Sequence, residues 1–215
     1  MKYLPYYLLA LLVILIDQGS KLWVHFNIPM GDAGEIKVLG NWFKIHYIEN
    51  PGMAFGLELD FVYGKLFLTL FRLLATIGIA FYLKYIIDQN YPRWTSGALA
   101  LILAGAAGNV IDSTFYGWAL GNAPADAPTV WFHGKVVDMI YVDIWKGYLP
   151  SWIPLIGDQY YAFWPIFNIA DSSIFVGVFV ILFAFLFTDV SQALPNGKSS
   201  TENNTAASEA ADIPN

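Results

Sequence analysis

The chain has 215 residues, of which 57% are hydrophobic, 17% aromatic and only 13% charged. Soluble domains carry about 25% charged residues, so this composition implies a polytopic membrane protein with one compact membrane domain. The net charge of −6 argues against a nucleic-acid partner, and the lack of cysteine excludes a disulfide, a thiolate nucleophile and a Cys-based metal site.

The first expected membrane helix covers about residues 3–24. Small residues of a signal-peptide cleavage site do not follow its apolar run; Asp17-Gln18-Gly19-Ser20-Lys21 stands there instead, so the segment reads as a retained helix. Asp17 and Lys21 are i,i+4 with the acid first, the favourable order for a helical ion pair. A pair at this place either belongs to a site or marks the membrane exit, with Lys21 snorkelling to the interface.

An outer loop of mixed polarity, 25–62, comes next. Within it FKIHYI (43–48) alternates with period two and predicts a strand, and Glu49-Asn50-Pro51-Gly52 is strong turn chemistry. This implies a small sheet at the membrane surface, or else a simple surface hairpin. The second helix is expected over 63–87, broken only by Lys65 and Arg72 near its start. After a short polar turn, DQNYPR, the third helix covers 94–112. Its Ala104-Gly105-Ala106-Ala107-Gly108 stretch admits close backbone approach, and it ends in GNVIDS with Asn109 and Asp112 three residues apart.

Residues 113–163 form a long outer loop, aromatic and rich in Pro and Gly. Loops of that length are often functional, and KVVDMIYVDIW (135–145) sets Asp138 and Asp143 among β-branched and aromatic residues. The fourth helix is expected over 164–188, roughly 36 Å of helix against a hydrocarbon core of about 30 Å. It carries Asn168 and Asp171, which at helical spacing share one face. Residues 1–194 thus make the membrane domain, and 195–215, polar and rich in small residues, read as a disordered tail. The fold class is membrane α-helical: four transmembrane helices with a small extracytoplasmic β-sheet and loop region.

Four helices put both termini on one side. Lys2, Lys84 and Arg93 flank the termini and the short turn, which favours cytoplasmic termini and outer long loops. On that topology the polar groups of three helices collect at the outer membrane face, which scattered helix glue would not do. Two nearby carboxylates cannot both ionise cheaply; one holds a proton while the other stays charged. Such a pair can take a proton from water and return one to a leaving amine, which is aspartic proteolysis. No HExxH or GxSxG is present, a Ser–Lys pair would need an uncharged Lys21, and the GxGD signature is approached only by Leu155-Ile156-Gly157-Asp158, which lacks the first glycine. Spacing does not choose between Asp138 and Asp143.

Five stretches in order, DQxxK at 17–21, ENPGMAFG at 49–56, GNVID at 108–112, VVDMI at 136–140 and FNIADSSI at 167–174, resemble the motifs of the lipoprotein signal peptidase family (signal peptidase II). The resemblance covers roughly residues 8–185. It implies a bacterial cytoplasmic-membrane enzyme with its site near the outer, periplasmic face, which removes the signal peptide from prolipoproteins carrying a diacylglyceryl-cysteine. The implied catalytic pair is Asp138 and Asp171. Asp17, Lys21, Asn50, Gly52, Asn109, Asp112, Asn168 and Ala170 match motif positions that shape the pocket. No cofactor and no metal are implied. The partners are the lipidated substrate and membrane lipid, and the enzyme is expected to act as a monomer. Three departures stand out. Ser113 takes a place usually held by arginine, which removes a positive tether near Asp112 and leaves Lys135 as a replacement. Met53 is larger than the usual residue, and the 113–163 loop is longer than typical. The rival reading is a small proton-linked transporter using intramembrane acids as a relay.

Overall fold

The computed structural model describes residues 1–51, 63–143, 145–152, 158–162 and 166–187. Among them are four helices long and apolar enough to cross a membrane, at Leu4–Asn27, Gly64–Asp88, Arg93–Ala119 and, for the last, within Ile169–Phe187. The third is the axis of the bundle: 61% of its apolar window is buried, against 22%, 11% and 22% for the others. Small side chains allow this. Ala98, Ala100 and Ala104 are buried, a Cβ at Gly105 would strike the Ala170 carbonyl, and one at Gly177 would lie 2.6 Å from the Ala98 carbonyl oxygen. The third and fourth helices therefore meet backbone to backbone, as the small-residue stretch predicts. The outer helices expose leucines and phenylalanines such as Leu8, Leu12, Leu15, Phe67, Phe71 and Phe179, surfaces that suit lipid and not water.

Three helix boundaries differ from the sequence expectation: the first helix, expected to stop at 24, runs on to Asn27. The third helix, expected to stop at 112, continues through a π-helical turn at Asp112–Tyr116 into Gly117–Ala119. The wide turn turns two carbonyls over to the returning loop: Phe132 N–H donates to Thr114 O at 3.1 Å and Gly134 N–H to Ser113 O at 3.0 Å. The fourth helix, expected from 164, begins at Ile169. Phe167 is held extended because its N–H donates to Ile140 O at 3.0 Å and its carbonyl accepts Ile140 N–H at 2.7 Å.

The expected strand is present and longer than predicted. A three-stranded antiparallel sheet has the order β1 (Ile36–Leu39), β2 (Phe43–Asn50), β3 (Val136–Val142), with Ile48 opposite Asp138 and Asn50 opposite Val136. A second hairpin pairs β4 (Lys146–Tyr148) with β5 (Tyr160–Ala162). Val137 and Met139 pack with Val24, Ile28, Tyr47 and Tyr116, which ties β3 to the end of the first helix. Strand alternation then turns Asp138 to the opposite face, toward the start of the fourth helix. The tail at 195–215, Gly52 and Met53 lie outside the described residues.

Candidate active site

The site is built at the start of the fourth helix. Asn168 immediately precedes Ile169 and forms a reciprocal cap: Asp171 N–H donates to Asn168 Oδ1 at 2.9 Å, and Asn168 N–H to Asp171 Oδ2 at 3.3 Å. This is the capping-box arrangement in an Asn-x-x-Asp form, which satisfies helix-start N–H groups that have no intrahelical partner. The expectation that Asn168 and Asp171 share a helix face is thereby corrected; Asn168 sits at the cap because β3 holds Phe167. Capping leaves the Asn168 amide free to reach sideways. Its Nδ2 donates to Asp138 Oδ1 at 2.7 Å and to Asn109 Oδ1 at 3.2 Å. Asn109 Nδ2 donates in turn to Asp171 Oδ1 at 2.8 Å.

Asp138 is almost wholly buried, and Asp171 half-buried. Asn50, the last residue of β2, gives Nδ2 to Asp138 Oδ2 at 3.1 Å. Both carboxylates therefore hang on Asn168, one through its side-chain amide and one through the cap. Burial, and then the charge of Asp171, push the Asp138 carboxyl up to about 7, although the Asn50 and Asn168 donors and Lys21 pull the other way. Asp143 pairs with Lys44 at 3.3 Å.

Behind the pair lies a buried ionic cluster. Lys21 Nζ meets Asp17 Oδ2 at 2.8 Å and Asp112 Oδ2 at 2.7 Å as ion pairs, and donates to Asn109 Oδ1 at 3.0 Å, so three oxygens surround the ammonium. Asp17 Oδ1 accepts the N–H of Ala170 at 2.8 Å, another helix-start donor. A Cβ at Gly108 would lie 2.7 Å from Asp17 Oδ2, which is why the third helix needs glycine there. Lys21 does not snorkel; it is buried completely. Two further expectations are corrected here. Asp112 has its cation, Lys21 from the first helix, and needs none at position 113. Lys135 does not replace it, since its ammonium lies 3.4 Å from Glu49 Oε2. Ser113 is fully buried.

Of the sequence-predicted residues, Asp17, Lys21, Asn50, Asn109, Asp112, Asp138, Asn168, Ala170 and Asp171 form one continuous network, and Gly52 falls outside the described residues. Sequence reasoning passed over Gln18 and Tyr116. Gln18 Nε2 donates to Asp112 Oδ1 at 2.8 Å, and Tyr116 Oη donates to Gln18 Oε1 at 3.0 Å. The signal for Gln18 was its place inside DQxxK; Tyr116 had none, because the π-helical turn that brings it back to the first helix has no sequence signature.

Two carboxylates thus meet on one residue, Asp138 on the Asn168 side-chain amide and Asp171 on the Asn168 backbone N–H, at the end of a membrane bundle. The family description Signal peptidase (SPase) II matches residues 9–187. The chain belongs to the signal peptidase II family. It is 49% identical over 182 residues to a lipoprotein signal peptidase of Amoebophilus asiaticus, covering 84% of this chain and 77% of the relative. It is 38% identical over 206 residues to the Porphyromonas gingivalis enzyme of the same name, covering 88% of each. Two solved bacterial membrane enzymes determined by the in meso method share the fold. One has a TM-score of 0.60 at 27% identity, over 91% of this chain and 94% of that one; the other has 0.58 at 29%, over 86% and 94%. The signal peptidase II chain is thus a multi-pass membrane protease that removes signal peptides from prolipoproteins. The transporter reading finds no support in these relatives.

Proposed function

We propose that Asp138 and Asp171 are the catalytic pair of an aspartic endopeptidase that cuts a prolipoprotein just before its diacylglyceryl-modified cysteine. The supporting observation is the double role of Asn168, which donates to Asp138 while capping the helix turn that carries Asp171. Near neutral pH the pair holds one proton, on Asp138. Asp171 takes a proton from water as the water oxygen bonds to the scissile carbonyl carbon, and Asp138 gives its proton to the carbonyl oxygen. Collapse of the tetrahedral diol breaks the C–N bond, the amine leaves with the proton held by Asp171, and Asp138 recovers one from the diol. Asn109 and Asn168 hold the geometry, with Asp17, Gln18, Lys21 and Asp112 behind them.

The site lies near the outer face of the bacterial cytoplasmic membrane in this reading, with both termini cytoplasmic and the enzyme acting as a monomer. Lys2, Lys84 and the short turn lie at the bundle end remote from the sheet, which fits that orientation. The acyl chains of the substrate already sit in the bilayer, so their contribution is positional: they fix the modified cysteine at headgroup depth, level with the pair.

The test is cleavage of a lipidated prolipoprotein by purified full-length enzyme. Asp138→Asn and Asp171→Asn should each lower kcat by roughly 100- to 10,000-fold, and the double variant should be no worse than either. Asp143→Asn should retain most activity. Full activity in either dyad variant would overturn the assignment.

A further inference from the structure

The second helix contributes to none of the polar motifs, and most of its surface is apolar and exposed, as at Phe67, Phe71, Leu74 and Phe81. One face is different. Lys65, Thr69 and Arg72 recur at i, i+4 and i+7 and so lie on one side. Thr69 is fully buried, and its hydroxyl donates to the Phe132 carbonyl at 2.9 Å, which docks this face on the loop leading to β3. From the same face Lys65 Nζ donates to the Pro51 carbonyl at 2.6 Å. Pro51 adjoins Asn50, which holds Asp138, so the stripe borders the site.

Pro51 follows Asn50, whose amide holds Asp138. Asn50 is the end of β2, and strand ends open most readily. The residue after it therefore bears on how firmly its amide is placed. Proline offers no N–H to continue the ladder, so the Pro51 carbonyl is the group by which that residue can be fastened. A short, charge-assisted bond from a half-buried ammonium fastens it to the second helix. We infer that Lys65 is a positioning residue for Asp138, acting through the Pro51 carbonyl and the Asn50 amide. This rests on the reading of Asp138 as catalytic.

A bond that merely closed the chain between Pro51 and Lys65 would affect stability and not turnover. The test is a double-mutant cycle between Lys65 and Asn50 in the full-length enzyme on a lipidated prolipoprotein. Lys65→Met should lower kcat by about tenfold or more, the factor for losing a charge-assisted hydrogen bond, with KM little changed. The groups facing Asp138 are Asp171, Lys21, Asn50 and Asn168. The Asn50 donor favours the charged form, so its loss should move the alkaline limb of the kcat profile to higher pH in Lys65→Met and Asn50→Ala alike. In the Asn50→Ala background, Lys65→Met should add less than about twofold and no further shift of the limb. Lys65→Arg keeps a cationic donor and should restore most of the rate. Lys65→Gln, a shorter donor, supplies the cycle if the methionine variant does not accumulate. Fully multiplicative effects, or a change confined to KM, would overturn the inference while Asp138→Asn stays inactive. An active Asp138→Asn would show instead that the catalytic reading had failed, and this inference with it.

Discussion

At one end of the helix bundle Asp88 accepts Lys2 Nζ at 2.6 Å and Lys84 Nζ at 2.7 Å; at the other, Lys21 sits 2.8 Å from Asp17 and 2.7 Å from Asp112. The distances match, but the surroundings do not. Lys2, Lys84 and Asp88 are 51%, 57% and 31% exposed, whereas all three members of the Lys21 cluster are 0% exposed. An exposed pair can lose a partner to water and a counterion at little expense. A buried one cannot, because each ion has given up several kcal/mol of hydration that only its neighbours restore. Hence the Lys21 cluster surrounds its ammonium with three oxygens, and its other carboxylate oxygens accept from Gln18 and the Ala170 N–H. It also reaches the proposed catalytic pair directly, since Asn109 and Ala170 connect it to the turn that carries Asp171. An ion-pair distance alone does not report this; burial does.

Breaking the buried cluster should give the largest effect on stability. Lys21→Met leaves Asp17 and Asp112 buried together without a cation. The expected loss is about 3–5 kcal/mol, seen as a strongly lowered thermal midpoint in detergent and little folded enzyme. A midpoint close to that of the wild type would show that water or another cation reaches these carboxylates.

The contrast between the two ends also explains what could be read from the sequence. Asp17 and Lys21 were legible as a pair because i,i+4 spacing on an apolar helix leaves few other arrangements. That Asp112 completes the cluster was not legible, since it depends on the third helix approaching the first at Gly108. The four helices, the strand at 43–48 and the close-packed small-residue stretch followed from hydropathy and composition. The start of the fourth helix did not, because Phe167 is claimed by a strand nearly thirty residues earlier in the chain, and local pattern carries no trace of that. The proposal of Asp138 over Asp143 rests in the same way on a long-range contact, the Asn168 amide on Asp138. Lys135 was offered as a replacement for the positive tether missing near Asp112, and Glu49 holds it instead.

Asp138 sharpens the comparison, because it is buried like the Lys21 cluster yet has two neutral amides as its hydrogen-bond donors. Its carboxyl is pushed up to about 7, first by burial and then by Asp171. In the unfolded chain an aspartate titrates near about 3.9. Between these values the folded enzyme holds a proton that the unfolded chain has lost, so stability should fall as pH rises through that window. Activity should fall above about 7, where both members of the pair are charged and neither can protonate the carbonyl oxygen. The measurements are kcat/KM and the thermal midpoint across the window. Asp138→Asn should flatten the contribution of this group to the midpoint slope. An unchanged slope in that variant would mean that the proton resides elsewhere.

The smallest effect is expected at the exposed end. Asp88→Asn removes the negative charge shared by Lys2, Lys84 and the Tyr3 hydroxyl, three partners at once, so by contact number alone it should be as damaging as loss of Lys21. Solvent argues otherwise. Both lysines stay hydrated when their partner is lost, and surface pairs of this kind contribute little to stability. The bundle core beside them, with Leu83, Ile86, Ile87, Leu99 and Leu103, is untouched by the change. Turnover should stay within about twofold of wild type, because the cluster lies at the opposite end of the helices from Asp138 and Asp171. Any shift in midpoint should vanish at about 1 M salt, where screening acts within about 3 Å, while the Lys21→Met defect persists because no counterion enters its site. Paired melts of the two variants at low and high salt decide the matter. If the Asp88→Asn defect survives high salt, or equals that of Lys21→Met, then burial is not what separates the two clusters.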